Sequence, residues 1–124
     1  MRKLVDHILE DLSTREAFSF RLRCGSCGGI HANRPVRFSK AGIPPATPEK
    51  QILFNAIYDQ EYRSARSSAV RSIAAHFNYC PICKRIVCNR CFVICEDLDM
   101  CAACAALLEE NDVPVLAGIP EITG

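Results

Sequence analysis

Cys80-Pro-Ile-Cys83-Lys84-Arg85-Ile86-Val87-Cys88-Asn89-Arg90-Cys91 sets two Cys-x-x-Cys pairs four residues apart, and a third pair, Cys101/Cys104, follows closely. A fourth pair, Cys24/Cys27, lies 52 residues upstream. Eight thiols in paired turns are the number that closes two tetrahedral sulfur sites, and Zn²⁺ is the usual occupant of such sites. One pair alone would also fit a redox motif. Four pairs, three of them within 80–104, point to metal. The candidate ligands are therefore Cys24, Cys27, Cys80, Cys83, Cys88, Cys91, Cys101 and Cys104, for two zinc ions. Cys95, in Phe92-Val93-Ile94-Cys95, has no partner at that spacing and reads as a small buried hydrophobe.

The eight sulfurs divide in one of two ways. A sequential scheme joins Cys24/Cys27 to Cys80/Cys83 and Cys88/Cys91 to Cys101/Cys104. An interleaved scheme joins Cys24/Cys27 to Cys88/Cys91 and Cys80/Cys83 to Cys101/Cys104. The four-residue spacer Lys84–Val87 suits a tight hairpin that places neighbouring pairs on opposite sides, which favours interleaving.

Outward from this core the chain reads as six segments. An N-terminal segment, 1–16, carries a short helix over 2–12 with Leu4, Val5, Ile8, Leu9 and Leu12 at helical spacing. In 17–38, Phe18, Phe20 and Leu22 alternate with polar residues as a half-buried strand does, running into the first knuckle. Ile30 to Phe38 is then the return strand, with Pro35 favouring an edge. Residues 39–47 form a Pro- and Gly-bearing linker.

Thr47 is a good N-cap and Pro48 a good first helical residue, so a long helix is expected over about 48–77, within a segment 48–79. Its apolar stripe reads Leu53, Ala56/Ile57, Tyr62, Ala65, Ala69, Ile73 and Phe77, with a bend near 58–61 and an Asp59/Arg63 pair. Its many Ala and Ser residues suit close packing against another helix, within the chain or from a second copy. In 80–110, Cys101 and Cys104 open a helix that Asp99 caps, so their thiolates face its positive end. Residues 111–124 are apolar with two prolines and read as an arm, packed on its own domain or offered to a partner.

Composition adds constraints. Between Arg15 and Cys91 thirteen Lys/Arg stand against four Asp/Glu, a local formal charge of +9 in a chain whose total is +1. Beyond Cys91 there is no Lys or Arg and there are seven acidic residues. Such asymmetry fits a basic face for a polyanion, with Arg34, Arg37, Arg63, Arg66, Arg71, Lys84, Arg85 and Arg90 as the nucleic-acid candidates. It equally fits charge compensation, because a Zn(Cys)₄ centre carries a net charge near −2, and Arg23, Lys84, Arg85 and Arg90 flank ligands. Few aromatics stand near these cations (Phe38, Tyr58, Tyr62 and Tyr79), which argues against reading of single strands by base stacking. No apolar run reaches the roughly 20 residues of a membrane span. The acidic, amphipathic N-terminus does not read as a secretory leader, so a reducing cytoplasm is expected.

The run C-P-I-C-K-R-I-V-C-N-R-C with a following C-x-x-C at a helix start resembles the cross-brace treble-clef modules, of which FYVE and RING-type fingers are members. The resemblance implies an α+β fold: a small two-zinc, cysteine-rich scaffold of treble-clef or zinc-ribbon-like hairpins, here with a long inserted helix. Three features depart from those modules. Gly28-Gly29-Ile30-His31 replaces the basic motif that follows the first pair in FYVE modules, 52 residues part the first two pairs, and all eight ligands are Cys. Phosphoinositide binding and ubiquitin transfer are therefore not implied. The layout also resembles small bacterial proteins with paired zinc knuckles around an inserted helix, which implies no activity.

A closed all-Cys site is structural, whereas catalytic zinc keeps an open position. No Gly-rich phosphate loop, nucleophile elbow or His-Glu-x-x-His is present. His31 and His76 lie four residues from Cys27 and Cys80, within reach of becoming substitute ligands, and His7 reads as solvated. The expectation is a non-enzymatic zinc-binding interaction or scaffold protein whose long helix and arm contact a protein partner or a second copy, with no small-molecule substrate. The alternative is a nucleic-acid-binding zinc finger using 15–91. A lesser one is an iron electron carrier, since Cys80-Pro-Ile-Cys83 resembles a rubredoxin knuckle.

Overall fold

Residues 1–110 are described by the computed structural model, so the expected arm lies outside the described residues. Contacts divide the chain into two compact units. Among the described residues, one comprises 2–22 and 31–75; the other comprises 23–30 and 76–110.

In the first unit, Arg2–Ile8 forms α1, which packs on the long helix through buried Val5. The expected continuation to residue 12 does not occur. Glu10–Asp11 is instead β1, paired antiparallel with β3, and Leu12 N donates to Ser19 O at 2.8 Å. Ala17–Phe18 (β2) and Phe20–Arg23 (β3) carry the expected alternation, with Phe18, Phe20 and Leu22 buried. They are two strands with different partners, β3 pairing with β1 and β2 with a later strand, and the N–H of Ser19 between them donates to Ser13 Oγ at 3.1 Å. The return is also split. Ile30–Ala32 is β4, in the sheet of order β1-β3-β4, and Val36–Arg37 is β5, paired with β2. Asn33, Arg34 and Pro35 interrupt it, and Asn33 Oδ1 takes the Phe20 N–H at 2.7 Å.

The helix α2, Pro48–Ala74, starts as its residues dictate: Pro48 fills the first helical position and Thr47 Oγ1 accepts from Lys50 N at 3.2 Å. It runs without a break at 58–61, and Asp59 does not pair with Arg63. Its buried face is rotated by one residue from the expected stripe in the first half. Leu53 is 61% exposed, while Phe54 and Tyr58 meet Phe38 with ring centroids 5.2 and 5.1 Å apart. In the second half Ala65, Ala69 and Ile73 are buried as expected, with Val70. Phe18, Phe20 and Phe38 are all buried, and Tyr62 closes on the first two. Each such Phe contributes about 1.5–3 kcal/mol by burial. The α1 contact gives the small-residue profile of α2 an intramolecular partner.

In the second unit α2 has already ended, three residues short of 77. Phe77–Tyr79 is β6, paired antiparallel with β7 (Ile86–Cys88) in the register Phe77↔Cys88. Phe77 sits at helical spacing from Ile73, but ladder bonds to β7 claim it. A 3-10 turn, Asn89–Cys91, leads to β8 (Phe92–Val93), which pairs with β9 (Met100–Cys101), and α3 (Ala102–Glu110) follows directly. Asp99 does not cap α3. Its carboxylate accepts from Cys95 N at 2.9 Å and closes the 95–99 loop. Cys95 is half-buried rather than buried. The architecture is thus mixed: helices and small antiparallel sheets.

Candidate metal centres

Each knuckle is one backbone device used twice. In the first, Gly28 N donates to Cys24 O at 3.1 Å and Cys24 N to Gly29 O at 2.8 Å. In the second, Lys84 N donates to Cys80 O at 2.8 Å and Cys80 N to Arg85 O at 2.9 Å. The residue after the second Cys must turn left-handed: Gly28 has φ 75° and Lys84 φ 60°. Glycine does this freely, whereas a lysine is strained there. The two knuckles are also joined. Gly25 N donates to Ile86 O at 2.9 Å and Arg85 Nη1 to Gly25 O at 2.6 Å. A Cβ on Gly25 would stand 3.0 Å from that Ile86 oxygen.

These contacts gather the eight thiols into two sets of four: Cys24, Cys27, Cys88 and Cys91, and Cys80, Cys83, Cys101 and Cys104. This is the interleaved arrangement. Within each set all four sulfurs lie within 4.8 Å of one another. The Cys27–Cys88 and Cys80–Cys104 Sγ atoms are 3.8 Å apart; Cys88–Cys91 and Cys83–Cys101 are 3.7 Å apart. A disulfide requires about 2.05 Å. A tetrahedron of sulfurs each about 2.3 Å from a central ion has edges of about 3.8 Å. The donor set therefore fits a four-coordinate thiophilic ion. Cys24, Cys80, Cys88, Cys101 and Cys104 are buried, Cys83 and Cys91 half-buried and Cys27 exposed.

Electrostatics prepares the same sulfurs for a cation. Burial opposes ionisation of Cys24, but the backbone N–H groups of Cys27, Cys88 and Ser26, 3.2–3.4 Å from its sulfur, outweigh it and bring the thiol down to about 6. The Arg85 guanidinium, with Nε 3.3 Å from the sulfur, holds Cys83 at about 6 as well. Cys80 is lowered too, the N–H groups of Cys101, Cys83 and Ile82 overcoming its burial. In each set one thiol moves the other way: burial and the adjacent sulfurs push Cys91 and Cys104 up to about 12. Four thiolates this close repel, and a divalent ion at the centre removes that repulsion. Cys101 also takes the Cys104 N–H at 3.4 Å, so it occupies the start of α3 where an N-cap would stand.

No histidine belongs to either set. His76 uses its carbonyl to accept from Asn89 N at 3.0 Å, which fixes β6 beside the 3-10 turn. Of the cations flanking ligands, Arg85 reaches a sulfur, as charge compensation requires. Sequence reasoning missed Gly25 and the strain at Lys84.

The basic candidates are divided between the two units. Arg34, Arg37, Arg63, Arg66 and Arg71 belong to the unit of 2–22 and 31–75; Lys84, Arg85 and Arg90 belong to the other. Arg63, Arg66 and Arg71 do come together, around a concavity that Arg2 and Lys3 also line. Phe38, Tyr58 and Tyr62 pack in the aromatic core. No helix among the described residues is long and apolar enough to cross a membrane.

No protein-family model, no curated protein and no solved structure matches this chain.

Proposed function

We propose that this chain is a non-enzymatic, zinc-stapled interaction module. Both ions are structural and the exposed first half of α2 meets a protein partner. The observation that carries the reading is the composition of the two sets: four sulfurs each, mostly buried, which fill every position of a tetrahedral ion. A site closed by four thiolates fixes backbone and leaves no place for a substrate. Knuckle, hairpin and following helix, with ligands from the knuckle and from the start of the helix, support a treble-clef-like scaffold, and reduced, metal-held thiolates suit the cytoplasm.

Ile52 and Leu53 on α2 are 72% and 61% exposed, and Ile43 in the linker is 62% exposed. Ile43 and Leu53 line a hollow with Pro44, Pro45, Phe54 and Ile57 whose wall is largely apolar. A partner helix or strand with apolar side chains fits that surface.

Two experiments test the reading. Metal analysis of protein purified without added metal is expected to give two zinc ions in colourless material. Red-brown protein containing iron would replace it with the electron-carrier reading. For the surface, Ile52→Glu/Leu53→Glu is expected to keep both metals and abolish association with a partner, or with a second copy, that the parent chain binds. Unchanged association in that variant contradicts the proposed face.

A further inference from the structure

On α2, Arg63, Ser67 and Arg71 recur every four residues and so share one side of the helix, with Arg66 beside them. Arg2 and Lys3 come from α1, which packs on α2, and together these residues line an open concavity of about 460 Å³. The one carboxylate in the lining is already held. Arg66 Nε donates to Asp6 Oδ1 at 2.7 Å, and Arg66 Nη2 donates to the Asp6 carbonyl at 2.6 Å. That pair cancels. Arg2, Lys3, Arg63 and Arg71 remain, all exposed, without an acidic partner in the lining. Four uncompensated cations around one hollow, in a chain of net charge +1, repel one another until an anion enters.

We propose that this concavity binds the phosphate backbone of a nucleic acid. Arg63 and Arg71 are eight residues apart on α2, about 12 Å of helix rise. Each strand of duplex DNA carries a charge every ~3.4 Å of the helix axis, so cations at that separation engage different phosphates of one backbone. No aromatic ring lines the hollow, so the contact is to phosphate and does not select sequence. A lipid surface fits less well. The exposed apolar residues of α1, Leu4 and Ile8, lie about 170° round the helix from the Arg2–Lys3–Asp6 side at 100° per residue. A helix that docks on a bilayer presents its apolar and basic residues to the same surface. The site is also narrower than a basic face spanning 15–91: Arg85 is engaged with Cys83, and Arg34 and Arg37 stand outside the hollow.

The test uses the full metal-loaded chain, with anisotropy of a labelled duplex and of a labelled single strand of equal length, between roughly 50 and 200 mM salt. Binding is expected at low salt and falls steeply as salt rises. Arg63→Glu/Arg71→Glu is expected to weaken it by about tenfold or more and to lower the log–log salt slope by about 2. Arg34→Glu/Arg37→Glu, which changes net charge equally, is expected to stay within about threefold of the parent. Helical circular dichroism and metal content confirm that each variant folds, and Arg63→Gln/Arg71→Gln supplies the same comparison should charge reversal disturb α2. The proposal is overturned by absence of oligonucleotide binding at about 50 mM salt. Equal losses in the two charge-reversal variants overturn it, as does binding to phosphatidylserine vesicles without binding to either oligonucleotide.

Discussion

Gly28 and Lys84 do the same work in the two knuckles with different chemistry. Both sit at left-handed φ and send their N–H back to the first cysteine of the pair. A Cβ at Gly28 meets nothing within 4 Å, so Gly28→Ala measures the backbone cost alone, about 1–2 kcal/mol in a urea melt of the metal-loaded protein. Lys84→Gly relieves that strain but adds chain entropy to the unfolded state. The expected outcome is a gain of about 0.5 kcal/mol with both metals retained. The glycines of the first knuckle announce a turn in the sequence. Nothing in the type of residue 84 does, and the need for Gly25 arises from Ile86, which only the fold brings near.

Tyr62 gives a prediction in pH. Burial, and its hydrogen bond to Asp11 at 2.5 Å, raise its phenol above the ordinary value of 10.0. The stability from a group raised on folding is fully present below the unfolded value and is lost as pH rises through the folded one. The stability difference between the parent and Tyr62→Phe should thus be constant near neutrality and shrink above about pH 10. A difference that grows there contradicts the Tyr62–Asp11 contact.

Among the elements, α2 shows which signals are local. Its start is set by Thr47, Pro48 and Glu49, all within one turn, and was legible. Thr47→Ala should cost about 1 kcal/mol. Its end was not legible, because Phe77 continues the helical spacing and only the pairing of β6 with β7 decides otherwise. Its buried face in the first half was misread for a related reason. Leu53 and Ile57 rank as apolar as Phe54 and Tyr58, and the choice falls to Phe38, a residue of the 17–38 segment. Phe38 is the ring on which Phe18, Phe54 and Tyr58 all converge, so Phe38→Ala is expected to cost about 3–5 kcal/mol, read from the midpoint of chemical unfolding. A loss under 1 kcal/mol would place the core elsewhere.

For the whole molecule, cysteine spacing carried most of what could be read. A Cys-x-x-Cys pair fixes its own turn, and the four-residue spacer favours interleaving over sequential pairing, but the choice between the two schemes is made only by the folded chain. The basic surface did not follow, since Arg2 and Lys3 join Arg63 and Arg71 through packing of α1 on α2. Metal binding of this kind supplies on the order of 10 kcal/mol per site to folding. Chelation should therefore abolish the structure of 76–110, while the aromatic core of the other unit, which contains no cysteine, keeps α2 helical. The central claim is that two tetrathiolate centres organise the cysteine-bearing unit, and its most direct measurement pairs elemental analysis with thiol titration on freshly isolated protein. The account predicts two bound ions per chain, with Cys95 alone titrating until chelator releases the other eight thiols. Metal-free protein whose nine cysteines are oxidised, or all titrate at once, would contradict it.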